Sequence, residues 1–297
     1  MMKIAGHTMG TPEYTLDDAI RLFKGIGLDG VEIIVQNGYR CGIDEDTSEE
    51  RLMEIKKLVE ELGMEVSCLT PYFSFFNSLD ENKRGKEIDG IKKVINYASF
   101  LGAKFIRIYG GNFSGNETDT TGEKRARLVE SMRILGKIAE ANGVKLVIEN
   151  HFNTMTVSAA DSISISKEIN CSSVGILYDQ ANLTFTNNED YKEALDLQMS
   201  KVYYIHVKDL LFKGEDHSFK SDEVSHPKES DRNVVTRIVG EGCLPWQEIL
   251  KRLKDEGYDG WLSLEYERRW HPDDIPDACI GMKASTDYVR TCLNNIQ

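Results

Sequence analysis

Short apolar runs alternate along the chain with longer amphipathic ones. The short runs are "KIAGH" (3–7), "GVEIIV" (30–35), "EVSCLT" (65–70), "KFIRIYG" (104–110), "KLVIENH" (145–151), "VGILYD" (174–179), "VYYIHVKD" (202–209) and "GWLSLEYE" (260–267). Their length and their Val, Ile, Leu and Tyr content predict β-strands. Between them, apolar residues recur at helical spacing. "TLDDAIRLFKGIG" opens at Thr15 as N-cap and ends at Gly27, and "TSEERLMEIKKLVEELG" carries Leu52, Ile55, Leu58, Val59 and Leu62 on one face before Gly63. Further helices are expected over 82–101, in "KRARLVESMRILGKIAEANG", over 158–169 and 190–199, in "PWQEILKRLKDEGYDG", and over 274–295.

Eight strands, each followed by a helix, imply parallel pairing. Over 297 residues this predicts one α/β domain, 1–297, with the (β/α)8 TIM-barrel architecture. An open doubly wound sheet is the runner-up. It normally carries a Gly-rich phosphate turn after its first strand, and here that turn reads "GHTMGTPEY", without a GxGxxG. One connection, 210–244, is long, charged and rich in Ser, Asp and Lys, as functional loops are.

Composition narrows the function. The formal net charge of -13 argues against a nucleic-acid grip, which needs a basic footprint. The six cysteines form no CxxC pair, which points to free thiols in a reducing cytosol. The N-terminal "MMKIAGHTMG" reads as a strand rather than a signal peptide, and no apolar run approaches the roughly 20 residues of a membrane span. The expectation is a cytoplasmic protein acting on a small molecule. A homo-oligomer is compatible with this reading.

In a (β/α)8 barrel, active sites form at the C-terminal strand ends. Those ends carry His7, Glu32, Arg107, Tyr109, Glu149, His151, Asp179, His206, Lys208, Glu265 and Glu267. Strands five to eight thus deliver Glu149, Asp179, His206 and Glu265. Each alone has an ordinary reading as a cap, an ion-pair partner or a core histidine. Together, three carboxylates cannot converge ionised without a cation. Three oxygen donors and one imidazole suit a divalent ion: Mn²⁺ first, then Mg²⁺, Co²⁺ or Zn²⁺. His7, Glu32, Arg107, His151 and Lys208 are the candidate substrate contacts. His7 reads equally as a capping histidine, and Arg107 as an ion-pair partner inside the barrel. Tyr72, Phe73, Phe75 and Phe76 are either core or a wall over the pocket. Trp270 and His271 could reach substrate from the rim, as could His217, His226, Arg232 and Arg237 from the long loop. Gly240, Gly242, Pro245 and Trp246 in "VGEGCLPW" have a structural reading, a tight turn into a helix.

The segments "VIENH", "LYDQAN", "YYIHVKD", "VGEGCLPW" and "GWLSLEYE" resemble the xylose isomerase-like barrel superfamily, which includes ketose 3-epimerases, hydroxypyruvate isomerase and inosose dehydratase. The resemblance spans nearly the whole chain. It implies that Glu149, Asp179, His206 and Glu265 bind one divalent ion and that Glu149 and Glu265 trade protons with substrate. There are two departures. The epimerases place a His three residues after the metal Asp, where this chain has Asn182, a further candidate substrate contact that can still hydrogen-bond a hydroxyl, and an Arg six residues after the metal His, where it has Phe212. The implied activity is an isomerase or epimerase of a small sugar or polyol-derived ketone, working through an enediolate. An inosose-dehydratase-like lyase on the same site is the alternative. An abasic-site endonuclease of the same fold would need more histidines and a basic groove.

Overall fold

The computed structural model describes residues 2–114, 117–215, 217, 228, 230 and 232–296. The strands in chain order are β1 (Lys3–His7), β2 (Gly30–Val35), β3 (Glu65–Pro71), β4 (Phe105–Ile108), β5 (Lys145–Glu149), β6 (Val174–Asp179), β7 (Val202–Val207), β8 (Asp209–Phe212), β9 (Val234–Arg237) and β10 (Trp261–Leu264). Eight of them close a parallel barrel in the order β1-β10-β7-β6-β5-β4-β3-β2, while β8 and β9 pair separately as an antiparallel hairpin. The fold is the (β/α)8 TIM barrel.

The helices are α1 (Leu16–Gly25), α2 (Glu49–Glu61), α3 (Glu81–Leu101), α4 (Glu123–Ala141), α5 (Ala159–Ile169), α6 (Gln180–Asn187), α7 (Tyr191–Gln198), α8 (Trp246–Asp255) and α9 (Ala278–Asn295). Local chemistry starts them. Thr15, Ser48, Asp80, Ser158 and Asp190 each accept a backbone N–H of the first turn. In α1, Leu16, Ala19, Ile20 and Phe23 are buried, which is the stripe a surface helix turns to a core. No helix among the described residues is long and apolar enough to cross a membrane. All six cysteines are free thiols.

Strand periodicity places the site. Ala5, Cys68, Val147, Leu177, Tyr204 and Trp261 form their own buried cluster, apart from the larger layer between strands and helices. Two residues beyond Ala5, Val147, Leu177 and Tyr204 stand His7, Glu149, Asp179 and His206. Because side chains alternate faces, these polar groups share the barrel interior with the apolar layer and sit one step nearer the C-terminal end.

Several boundaries differ from the sequence reading. The ladder ends at Ile108, Glu149 and Leu264, so Tyr109, His151, Glu265 and Glu267 follow their strands. Glu265 is still held by its N–H to Val207 O, 3.0 Å. Strand seven stops at Val207, and the chain passes into β8 at Asp209, whose buried carboxylate accepts N–H groups from Leu210, Gly240, Gly242 and Leu244. A Cβ on Gly242 would lie 2.0 Å from Asp209 Oδ1, so this close approach requires glycine. Finally, β6 runs directly into the unexpected helix α6, which Asp179 itself caps.

Candidate functional site

Glu149, Asp179, His206 and Glu265 each present one ligand atom, and all four atoms lie within 4.8 Å of one another. Strands β5, β6 and β7 and the residue just past β10 supply them, so barrel closure brings them together. His206 Nδ1 is 3.2 Å from Glu149 Oε1, 3.4 Å from Glu265 Oε2 and 3.9 Å from Asp179 Oδ2. Its other ring nitrogen, Nε2, is 3.2 Å from Glu32 Oε1. A carboxylate only accepts, so Nε2 donates to Glu32 and the Nδ1 side turns toward the three carboxylates. A histidine that holds a metal is oriented in this way, by a carboxylate on its far nitrogen. Glu32 is fixed in turn by Thr70 Oγ1 and by Tyr204 OH at 3.1 Å.

Asp179 divides its oxygens. Oδ1 accepts from Asn182 N at 2.9 Å, capping α6. Oδ2 is buried and has no hydrogen-bond partner among the described residues, although Lys208 Nζ lies 3.1 Å away. A buried carboxylate oxygen without a hydrogen bond, beside two further carboxylates and an imidazole, fits the donor set of a divalent cation.

Two fixed cations share this floor. Arg107 Nε donates to Glu149 Oε2 at 2.6 Å, and Nη2 pairs with the same oxygen. Lys208 Nζ contacts Glu265 Oε2 at 2.7 Å and Glu267 Oε1 at 3.4 Å. Burial opposes ionisation of Glu149, but Arg107 prevails and brings its pKa down to about 2. Burial pushes Asp179 up to about 7 against the pull of Lys208. Burial also opposes ionisation of Glu265, yet Lys208 and then His206 hold it well below the usual carboxylate range. Burial disfavours a charged His206, but Glu265 and Glu32 outweigh it and raise the ring well above its ordinary value.

Above the floor opens a cavity of about 390 Å³. Its lining includes Arg107, His151, Lys208, Glu265, Glu267 and His271 as polar groups, and Met9, Tyr72, Tyr109, Phe152, Phe185, Leu210, Val234 and Trp270 as apolar or aromatic ones. The candidate substrate contacts therefore divide. Arg107, His151 and Lys208 line the cavity, while His7, Glu32 and Asn182 are not among its lining residues. His7 is a cap: its Nδ1 accepts from Met9 N at 3.1 Å. Asn182 Nδ2 donates to Asn150 O at 2.8 Å and reaches Glu149 Oε1 at 3.4 Å. His151 Nδ1 lies 2.7 Å from Phe152 O, which only accepts, so Nδ1 carries the proton and Nε2 bears a lone pair.

The "PYFSFF" stretch also divides, with Tyr72 on the cavity wall and Phe76 fully buried in the core. From the long loop, Arg232 reaches the wall, fixed by a buried fork to Asp274 at 2.5 and 2.9 Å. His217 stacks on Phe212 at 3.9 Å beside a different cleft. Arg237 pairs within the hairpin, and His226 lies outside the described residues. The sequence reading did not anticipate Asp209, Tyr204 or Asp274. Polar residues within apolar runs were the available signal for the first two.

The family model for the xylose isomerase-like TIM barrel matches residues 20–284. An inosose dehydratase of Clostridium perfringens is 26% identical over 232 residues, covering 72% of this chain and 73% of that protein. A solved L-ribulose 3-epimerase superposes with a TM-score of 0.78 at 15% identity, covering 100% of this chain and 96% of that one. A xylose isomerase-like TIM barrel protein from Mycobacterium smegmatis, solved in complex with magnesium, superposes with a TM-score of 0.76 at 16% identity, covering 100% and 98%. The chain belongs to the xylose isomerase-like TIM barrel family.

Proposed function

We propose that this chain is a divalent-metal-dependent isomerase or epimerase acting on a ketone derived from a small sugar or polyol. The observation that carries the reading is the convergence of ligand atoms of Glu149, Asp179, His206 and Glu265 within 4.8 Å, with Glu265 lining a cavity. These four residues would hold the cation, with Mn²⁺ the first choice. When bound, such an ion supplies Lewis acidity to a carbonyl oxygen and so acidifies the neighbouring C–H.

The chain's own groups do the rest. Glu265 lines the cavity and removes the proton next to the carbonyl. Glu149, whose Oε1 lies 3.2 Å from the His206 Nδ1 that Glu265 also faces, is the second proton carrier, and return of the proton to another face or atom gives the epimer or isomer. Arg107 and Lys208 keep the two carboxylates oriented and add positive charge where an enediolate oxygen forms. His151 accepts from a substrate hydroxyl through its Nε2. The aromatic wall excludes water from the reacting carbon.

Dehydration is the second reading, and the likeness to an inosose dehydratase over 72% of the chain favours it. It shares proton removal and differs only in the loss of a β-hydroxyl. One experiment separates the two. The chain is incubated with Mn²⁺ and a panel of ketoses and inososes in heavy water. Gain of deuterium without other mass change marks isomerisation or epimerisation, and loss of one water marks the lyase. Glu149→Gln and Glu265→Gln are expected to abolish either signal and weaken metal binding while the far-UV spectrum is kept. Full activity in both variants would refute the assignment.

A further inference from the structure

The two buried cations on the floor do not hold their carboxylates in the same way. Arg107 takes Glu149 through Oε2, whereas the other oxygen, Oε1, is the one 3.2 Å from His206 Nδ1. The guanidinium therefore leaves the inward oxygen to the four-residue cluster. Lys208 does the opposite. Its Nζ lies 2.7 Å from Glu265 Oε2 and 3.1 Å from Asp179 Oδ2. Those same two oxygens face His206 Nδ1, at 3.4 and 3.9 Å. The ammonium thus sits on oxygens that a divalent ion held by the cluster would also need.

A second acceptor stands outside the cluster. Glu267 Oε1 is 3.4 Å from Lys208 Nζ, and Glu267 is not one of the four clustered residues. Its side chain lines the cavity and is 23% exposed, against 6% for Lys208. The contacts of Nζ with Glu265 and Glu267 are hydrogen bonds, whereas that with Asp179 Oδ2 is an ion pair without one. The backbone at Lys208 is pinned, because its carbonyl accepts from Trp246 Nε1 at 3.0 Å. The four-carbon stem keeps its rotations. The ammonium can therefore pass from Asp179 toward Glu267 without moving the strand. Positive charges that share carboxylate oxygens repel one another, and burial strengthens the repulsion.

We propose that Lys208 is an internal competitor of the metal: its ammonium lowers the affinity of Glu149, Asp179, His206 and Glu265 for a divalent ion, and Glu267 draws it aside when the ion is held. This rests on the reading of those four residues as the metal ligands. Affinity for a hard cation rises with the negative charge of its ligands, and an ammonium on two of them subtracts from it. The ion is then held loosely enough to exchange. An ammonium that served only to orient Glu265 would act with the opposite sign, because its loss would loosen a ligand.

The test is calorimetric titration of the full chain with Mn²⁺ at constant ionic strength, for the parent, Lys208→Met, Glu267→Gln and the double variant. Lys208→Met is expected to bind Mn²⁺ about tenfold more tightly than the parent, which is about 1.4 kcal/mol. Glu267→Gln removes the alternative acceptor and should weaken binding severalfold. In the Lys208→Met background the same change should do much less, because Glu267 acts through the lysine. Lys208→Gln keeps an NH₂ donor and loses the charge, so it carries the same expectation if Lys208→Met does not fold. Equal or weaker Mn²⁺ binding by the lysine variants overturns the competition and leaves the metal site standing. An equal loss from Glu267→Gln in both backgrounds also overturns it, since Glu267 then attracts the ion directly. No binding by the parent with clear binding by the lysine variants supports the competitor. No binding by any of these chains overturns it together with the metal site.

Discussion

Asp209 ties the site to the fold, and replacing it has a calculable cost. Its Oδ1 accepts from Leu210 N at 2.9 Å and Leu244 N at 3.1 Å, and its Oδ2 from Gly240 N at 2.9 Å and Gly242 N at 3.3 Å. The turn held in this way leads into α8, where the buried Trp246 donates from Nε1 to Lys208 O at 3.0 Å. Asp209→Asn keeps one accepting oxygen and sets an NH₂ against the other two N–H groups. Each buried donor left unsatisfied costs about 1–3 kcal/mol, so two cost about 2–6 kcal/mol. That is a large share of the roughly 5–15 kcal/mol that holds a folded protein together. Gly242→Ala attacks the same turn from the other side, since its Cβ would lie 2.0 Å from Oδ1. Urea unfolding followed by circular dichroism measures both variants and their combination. Because both disrupt one contact set, the double variant should lose less than the sum of the two losses. An Asp209→Asn midpoint equal to that of the parent, or strict additivity in the double variant, would show that the turn is held by something else.

Other perturbations test the centre and its supports. Arg107→Met leaves the Glu149 carboxylate buried without its guanidinium, and should destabilise the metal-free chain by about 3–5 kcal/mol in thermal melts. Added Mn²⁺ should recover part of that loss, and an unchanged melting temperature without metal contradicts the pairing. Asp274→Ala strands the buried Arg232 guanidinium and should cost a similar amount, about 3–5 kcal/mol. Limited proteolysis of the β8–β9 hairpin would then speed up, whereas identical digestion rates argue against Arg232 as its anchor. Mn²⁺ at a hundredfold excess over its Kd should stabilise the chain by about 2.7 kcal/mol. The same concentration should do much less for Asp179→Ala, and equal stabilisation of both would place the ion elsewhere.

The alternation of short apolar runs with amphipathic ones determined the barrel, because strand and helix periods are properties of the chain itself. It also determined which residues face inward. Glu149, Asp179 and His206 each stand two places beyond an apolar residue of the barrel interior, and pleating forces both onto one face. Charge repulsion among inward carboxylates then pointed to a cation before any distance was known. Tertiary structure alone decided who stands opposite whom. Glu32 and His206 are 174 residues apart, and only closure of β1, β2, β7 and β10 into one ring makes Glu32 the group that orients the imidazole. Lys208 shares His206's face, but its partners Asp179 and Glu265 come from the flanking strands. The hairpin inside the long loop depends on Asp209 meeting N–H groups some 30 residues later, a pairing no local pattern encodes. Local sequence sets the direction of each side chain, whereas the distance between two of them is set by how the intervening chain packs.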